Sequence, residues 1–176
     1  AEFRRQGHDV LMIPLYLPMT LDEEDQSSGI PVFFGGINVY LEQKLPLLGK
    51  MPHWLHKQLS SPGLLKWASG RAAKTRASDL GDLTLSMIKG EEGKQIREIE
   101  ELVAYLRQHH LPEVISLSNA LLVGMARRLK RDLNVPVVCT LQGEDSFLDS
   151  LPESFRQKTW DTLAERCRDI DLFIAP

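Results

Sequence analysis

Two short polar clusters in this sequence each follow an apolar run, and both have the residue types for binding chemistry. The first is Gln142-Gly143-Glu144-Asp145, directly after Val135-Pro136-Val137-Val138-Cys139-Thr140-Leu141. A glycine followed by two carboxylates suits a polyhydroxylated ligand, because carboxylates accept hydrogen bonds from hydroxyl groups. The same two acids would equally open a helical turn and answer its dipole. The second cluster is Ser116, Ser118 and Asn119, at the end of Pro112-Glu113-Val114-Ile115-Ser116-Leu117. Asn119 there also has the form of a helix N-cap.

A third candidate lies nearer the N-terminus, in Val32-Phe33-Phe34-Gly35-Gly36-Ile37-Asn38-Val39-Tyr40. Gly35 and Gly36 would let a backbone approach a sugar or phosphate closely, or would simply bend a strand. Asn38 and Tyr40 beside them suit bonding to or stacking on a sugar, or packing in a half-buried strand. The diglycine is not a dinucleotide-binding G-x-G-x-x-G, and no Walker, H-E-x-x-H or G-x-S-x-G pattern occurs.

Charge is distributed unevenly. The net value is −3, which does not mark the whole chain as a nucleic-acid binder. Yet residues 43–78 hold seven basic side chains (Lys44, Lys50, Lys57, Lys66, Arg71, Lys74 and Arg76) and no acid. Removing those seven from the 21 basic residues leaves 14 against 24 acids, so the remainder carries about −10. Pro46, Pro52 and Pro62 break this segment into short pieces, and Trp54 and Trp67 lie among its cations. It reads as a basic, Trp-containing helical insertion. Lys50, Trp54, Lys57, Lys66, Trp67 and Arg71 are its candidates for facing an anionic membrane. A solvated flank with its tryptophans turned inward is the alternative.

The remaining titratable types point to structure. Cys139 and Cys167 make neither a disulfide framework nor a metal-ligand spacing, and each sits among apolar neighbours as a core thiol would. His109 and His110 stand at a helix end before a proline, where capping carbonyls is their ordinary use. No metal site is expected. With 43% apolar and 26% charged residues the chain can bury a core, and no apolar run approaches the roughly 20 residues that cross a bilayer. The absence of a signal-peptide pattern and the free cysteines point to a reducing, cytoplasmic setting.

The elements that must position these clusters follow from periodicity. Ala1 to Gly7 reads as the last turns of a helix stopped by the glycine, and Val10 to Tyr16 as a strand buried on both faces. Residues 17–31 read as a polar loop. From Asp82 to about Arg107 apolar residues recur at helical spacing, with Gly90 and Gly93 as breaks. A strand at 112–117, a helix from Ala120 to about Leu133 capped by Asn119, and a strand at 135–141 follow. Ser150 and Glu153 have the spacing of a capping box for a helix to about Arg168, and 171–176 is a last strand. The alternation predicts an open, mostly parallel, Rossmann-like α/β sheet with helices on both faces. In such sheets ligands bind outside the carboxyl ends of the strands, where both polar clusters fall. A chain opening on a helix end and stopping at a strand tip reads as one partial domain, cut at both ends.

In their order and spacing these landmarks resemble the N-terminal, acceptor-side domain of family 4 glycosyltransferases, which have the two-domain GT-B fold. Arg4-Arg5-Gln6-Gly7-His8-Asp9-Val10 resembles that family's first helix end, and the diglycine strand, the 113–120 and 135–145 segments and Asp171-Leu172-Phe173-Ile174-Ala175-Pro176 follow in the expected order. The resemblance spans essentially the whole chain, and it implies that the family's first strand, with its glycine-rich loop, is missing here. It implies transfer of a hexosyl or related sugar from a nucleotide-sugar to an acceptor, with retention and without a metal or other cofactor. Gln142, Glu144 and Asp145 would be the catalytic set in contact with the donor sugar, Ser118 and Asn119 would shape the cleft, Gly35 and Gly36 would let the acceptor approach, and Asn38, Tyr40 and Gly143 would complete the substrate-binding residues. A lipid-linked or polysaccharide acceptor near the inner membrane face is the partner it suggests. Many members carry His in T-x-H-G-x-D where Gln142 stands, and histidines where Ser116 and Ser118 stand. An amide bonds a hydroxyl but cannot hold a proton as imidazole does. Nucleotide-sugar binding in the family belongs mostly to a second domain with a pair of glutamates, so this piece alone is expected to be inactive. The rival expectation is a non-catalytic scaffold that keeps the fold and uses residues 43–78 to hold a membrane or protein partner.

Overall fold

The computed structural model of the protein describes residues 2–13, 15 and 77–175. The chain divides into two units, Ala1–Leu65 and Lys66–Pro176. The diglycine segment with Gly35, Gly36, Asn38 and Tyr40, and the basic segment with Lys50, Trp54, Lys57, Lys66, Trp67 and Arg71, lie outside the described residues.

In the first unit, α1 (Glu2–Arg5) ends as its sequence requires. Gly7 adopts φ +89°, its N–H donates to Arg4 O at 3.1 Å, and the His8 N–H donates to Phe3 O at 3.1 Å. This paired closure satisfies two carbonyls of the last turn, and the left-handed residue that makes it possible favours glycine. The strand expected to begin at Val10 is not formed over residues 10–13. The Val10 carbonyl accepts instead from the Arg4 guanidinium, at 2.7 Å from Nη2, and Met12 is 50% exposed. An apolar run becomes a strand only where a neighbouring strand answers its backbone, and among the described residues no strand pairs with this one.

The second unit begins with α2 (Ala77–Lys89), a 3₁₀ turn (Gly90–Glu92) and α3 (Ile96–His109). Ile88 in α2, and Ile99, Leu102, Val103 and Leu106 in α3, are all buried. Gly90 ends α2 with φ +62°, which is the break its position in the sequence predicts. The chain crosses itself closely there. A Cβ on Gly124 would fall 2.5 Å from Ile88 O and 2.6 Å from Gly90 N, so only glycine fits.

Strands β1 (Ile115–Leu117), β2 (Val137–Thr140) and β3 (Leu172–Ile174) form a parallel sheet in the order β1-β2-β3. A 3₁₀ helix (Ala120–Met125) continuing into α4 (Ala126–Leu133) connects β1 to β2, and α5 (Asp145–Asp149), α6 (Glu153–Arg166) and a 3₁₀ turn (Cys167–Asp169) connect β2 to β3. The protein is thus mixed α/β with a small, open, parallel sheet. Leu117, Val137 and Cys139 are buried on one face, against a core that includes Leu122, Val123, Ala126 and Leu129. On the other, Ser116, Leu172 and Ile174 are exposed, so burial on both faces is not reached among the described residues.

The expected capping box at Ser150 and Glu153 does not form. Pro152 is the N-cap residue of α6 without a side-chain cap, and Ser150 Oγ donates to Phe147 O at 2.6 Å, closing α5. Proline's fixed φ already sets the helix entry, which frees the serine for the preceding turn.

Charged side chains fasten the connections. Lys130 of α4 pairs with Asp171 at 2.7 Å, and the other oxygen of Asp171 accepts from Val137 N at 2.8 Å while Asp171 N donates to Val137 O at 2.9 Å. Arg131 holds Glu91 through two hydrogen bonds of 2.8 and 3.1 Å. Arg166, only 2% exposed, donates from Nη2 to Glu92 at 2.7 Å and has Nη1 4.0 Å from Glu165, and its Nε has no hydrogen-bond partner among the described residues.

Candidate functional site at the strand tips

The carboxyl ends of β1 and β2 bring together the two clusters singled out in the sequence. Asn119 is extended (φ −159°, ψ 165°), and its side chain accepts from Leu121 N at 3.1 Å, capping the helical stretch that follows β1. Across the gap, the β2 tip is held to β3 by Leu141 N donating to Ile174 O at 2.8 Å. The chain then turns at Gly143 with φ +77° and enters α5. Ser116, Ser118, Gln142, Gly143 and Asp145 are exposed at this end, whereas Asn119 and Glu144 are half-buried.

Glu144 joins the two loops. Its Oε1 accepts from Ala120 N at 2.7 Å, and its Oε2 accepts from Gln142 N at 2.8 Å. Burial pushes this carboxyl up, but the N–H donors of Ala120, Gln142 and Glu144 itself together outweigh burial and hold it below the ordinary carboxylate value. The side chain therefore stays ionised and fixed. Asp145 opens α5, and its Oδ1 lies 3.8 Å from where a Cβ of residue 143 would stand, so the turn folds back over its own first acid.

Beneath the tips, Cys139 is fully buried, and its thiol is pushed up to about 11 by burial and then by the charge of Glu144 and by Cys167. That is a core thiol, without nucleophilic character. His109 and His110 pack on Tyr105, with ring centroids 4.9 and 6.2 Å away. Among the described residues no group of three His, Cys, Asp or Glu side chains is arranged to hold a metal ion. No helix among them is long and apolar enough to cross a membrane.

A depression of about 200 Å³ that sequence reasoning did not anticipate opens between α2 and the turn before α3. Asp82, Ser86, Lys89, Glu92 and Lys94 line it, and Lys94 pairs with Asp82 at 2.5 Å. Ser86 is engaged on both sides, donating to Gln95 Oε1 at 2.7 Å and accepting from Lys94 N at 2.8 Å. These residues come from one helix and one turn, with no motif to announce them.

Fold and cluster together define a parallel α/β domain with exposed polar groups at the carboxyl ends of adjacent strands. No protein-family model matches the chain, and no curated protein and no solved structure was found to match it.

Proposed function

We propose that this chain is the acceptor-side domain of a retaining, metal-independent glycosyltransferase with a nucleotide-sugar donor, one Rossmann-like half of a GT-B fold. The observation that carries this reading is the convergence of Ser118 and Asn119 with Gln142, Gly143 and Asp145 at the tips of two adjacent parallel strands, where open α/β sheets take their ligands. The donor sugar lies over these tips. The Gln142 amide donates to and accepts from its hydroxyls, Asp145 accepts from them, and Ser118 shapes the cleft wall. Glu144 holds the two loops at a fixed separation, so the polar groups are positioned before the sugar arrives. In this reading the nucleotide is bound by a second domain, the acceptor is lipid-linked or a polysaccharide, and residues 43–78 bring the enzyme to the inner face of a membrane. The 176-residue chain by itself is then expected to be inactive.

A second reading, a non-catalytic scaffold, draws support from the same site. Glu144 is engaged by backbone, and the β2 tip offers an amide where proton transfer would use imidazole. Calorimetric titration of the natural gene product with nucleotide-sugars separates the two. Micromolar binding supports the enzyme, whereas no binding of any nucleotide-sugar removes it and leaves the scaffold. Co-sedimentation with anionic vesicles at low salt tests the membrane surface in both readings.

A further inference from the structure

The strand tips contain a fixed anion and no cation of their own. Residues 112–124 and 140–155, which make up both loops, include no Lys or Arg, yet they carry Glu113, Glu144, Asp145, Asp149 and Glu153. In many α/β proteins the N–H groups that open the helix after a strand hold a phosphate. Here that position is filled from within, because the Ala120 N–H donates to Glu144 Oε1 at 2.7 Å and the Gln142 N–H to Oε2 at 2.8 Å.

We infer that Glu144 is a specificity-determining residue that makes this end of the sheet accept an uncharged sugar and reject an anionic one, whether a sugar phosphate or a uronic acid. The inference rests on the proposed sugar site and names the class of sugar it takes. Three N–H donors share the two oxygens of Glu144, which leaves the carboxylate room for a further donor, so a sugar hydroxyl can donate to it without disturbing the loop. A phosphate or carboxylate has nothing to donate. It would either displace Glu144 from two backbone N–H groups or sit against Glu144 and Asp145 with no cation of these loops to relieve the repulsion. The phosphates of a nucleotide-sugar would accordingly lie away from the β1 and β2 tips, and only the neutral ring would reach them.

The test is titration of the 176-residue chain with a methyl glucoside, the matching methyl glucuronide and inorganic phosphate, following the backbone amide signals of Ala120, Gln142 and Gly143. The glucoside should shift these amides, and the glucuronide should bind at least about tenfold more weakly. Phosphate should leave them unmoved. In Glu144→Gln, which keeps the shape but loses the charge, the preference should fall to roughly twofold or less. Equal binding of glucuronide and glucoside by the wild type, or a phosphate-induced shift at Ala120, overturns the inference without need of any variant. A Glu144→Gln protein that folds and keeps the full preference overturns it as well. If neither sugar moves these amides while the chain is folded, the sugar-site reading itself fails and the inference falls with it.

Discussion

Glu144, at the tip of β2, accepts a hydrogen bond from the backbone N–H of Ala120, 24 residues earlier in the chain, and so ties the loop after one strand to the loop after its neighbour. The same carboxylate also accepts from Gln142 N, so one side chain sets the geometry of the whole polar cluster. Replacing it by Ala leaves two N–H groups without their acceptor and should cost about 1–2 kcal/mol in denaturant unfolding. The sign of the pH effect follows from the lowered carboxyl. Its contribution is present above the ordinary value of 4.5 and is lost as pH falls through the lower folded value. The wild type should lose its margin over Glu144→Ala as pH drops below about 4.5, and a margin that persists at lower pH would refute the account.

Gly124 should tolerate no side chain. A Cβ there would meet Ile88 O at 2.5 Å and Gly90 N at 2.6 Å, and these are backbone atoms that cannot rotate away. Gly124→Ala is expected to destabilise by at least about 2 kcal/mol in urea unfolding. A loss below about 0.5 kcal/mol would mean the crossing of α2 with the 120–133 stretch is looser than described.

Arg166 and Glu92 are unequal partners. Arg166 is 2% exposed with its Nε unpartnered among the described residues, while Glu92 is 59% exposed, and the Arg166 hydrogen bond first of all holds the Glu92 carboxyl below its ordinary value. Removing the acid leaves a buried guanidinium with only Glu165 among the described residues, 4.0 Å from its Nη1, to answer it, whereas removing the cation leaves behind an exposed carboxylate. Glu92→Ala should therefore cost about 1–2 kcal/mol, and Arg166→Met less than about 1 kcal/mol, by thermal or denaturant unfolding. The reverse ranking would show that Arg166 contributes through its charge.

If the proposed glycosyltransferase reading holds, Gln142→Ala or Asp145→Ala in the natural gene product should lower sugar transfer by tenfold or more, about 1.4 kcal/mol in the barrier. Both side chains are exposed, so neither change should shift the unfolding midpoint appreciably. Unchanged transfer by both variants would remove the sugar-contact assignment while leaving the fold intact.

The thiols give a simple check on packing. Cys139 is fully buried with its thiol pushed up to about 11, and burial raises the half-buried Cys167 as well. In a neutral-pH assay with a coloured disulfide reagent, Cys139 should react only after denaturant is added. Fast labelling of Cys139 in the native chain would mean that the sheet opens far more readily than its burial implies.

What the sequence by itself determined lies within a few residues of each feature. Gly7 and Gly90 stop helices because both take the left-handed backbone that glycine tolerates, at φ +89° and +62°. Asn119 caps because its oxygen reaches a backbone N–H two residues on, and the runs around Val137 and Phe173 form strands because they are apolar and β-branched or aromatic. Even the meeting of Ser118 and Asn119 with Gln142 and Asp145 was legible, since both clusters follow strands of a parallel sheet. Tertiary structure decided the rest. Local propensity was not enough at Val10, where no strand among the described residues pairs with the run, or at Ser150, where Pro152 sets the helix entry. Asp171 answers Val137 N, 34 residues away, and Glu144 answers Ala120 N, and no pattern in the chain predicts which buried donor a carboxylate will find. Periodicity reports which way a side chain faces. Its partner is fixed only when the helical connections bring distant backbone within about 3 Å.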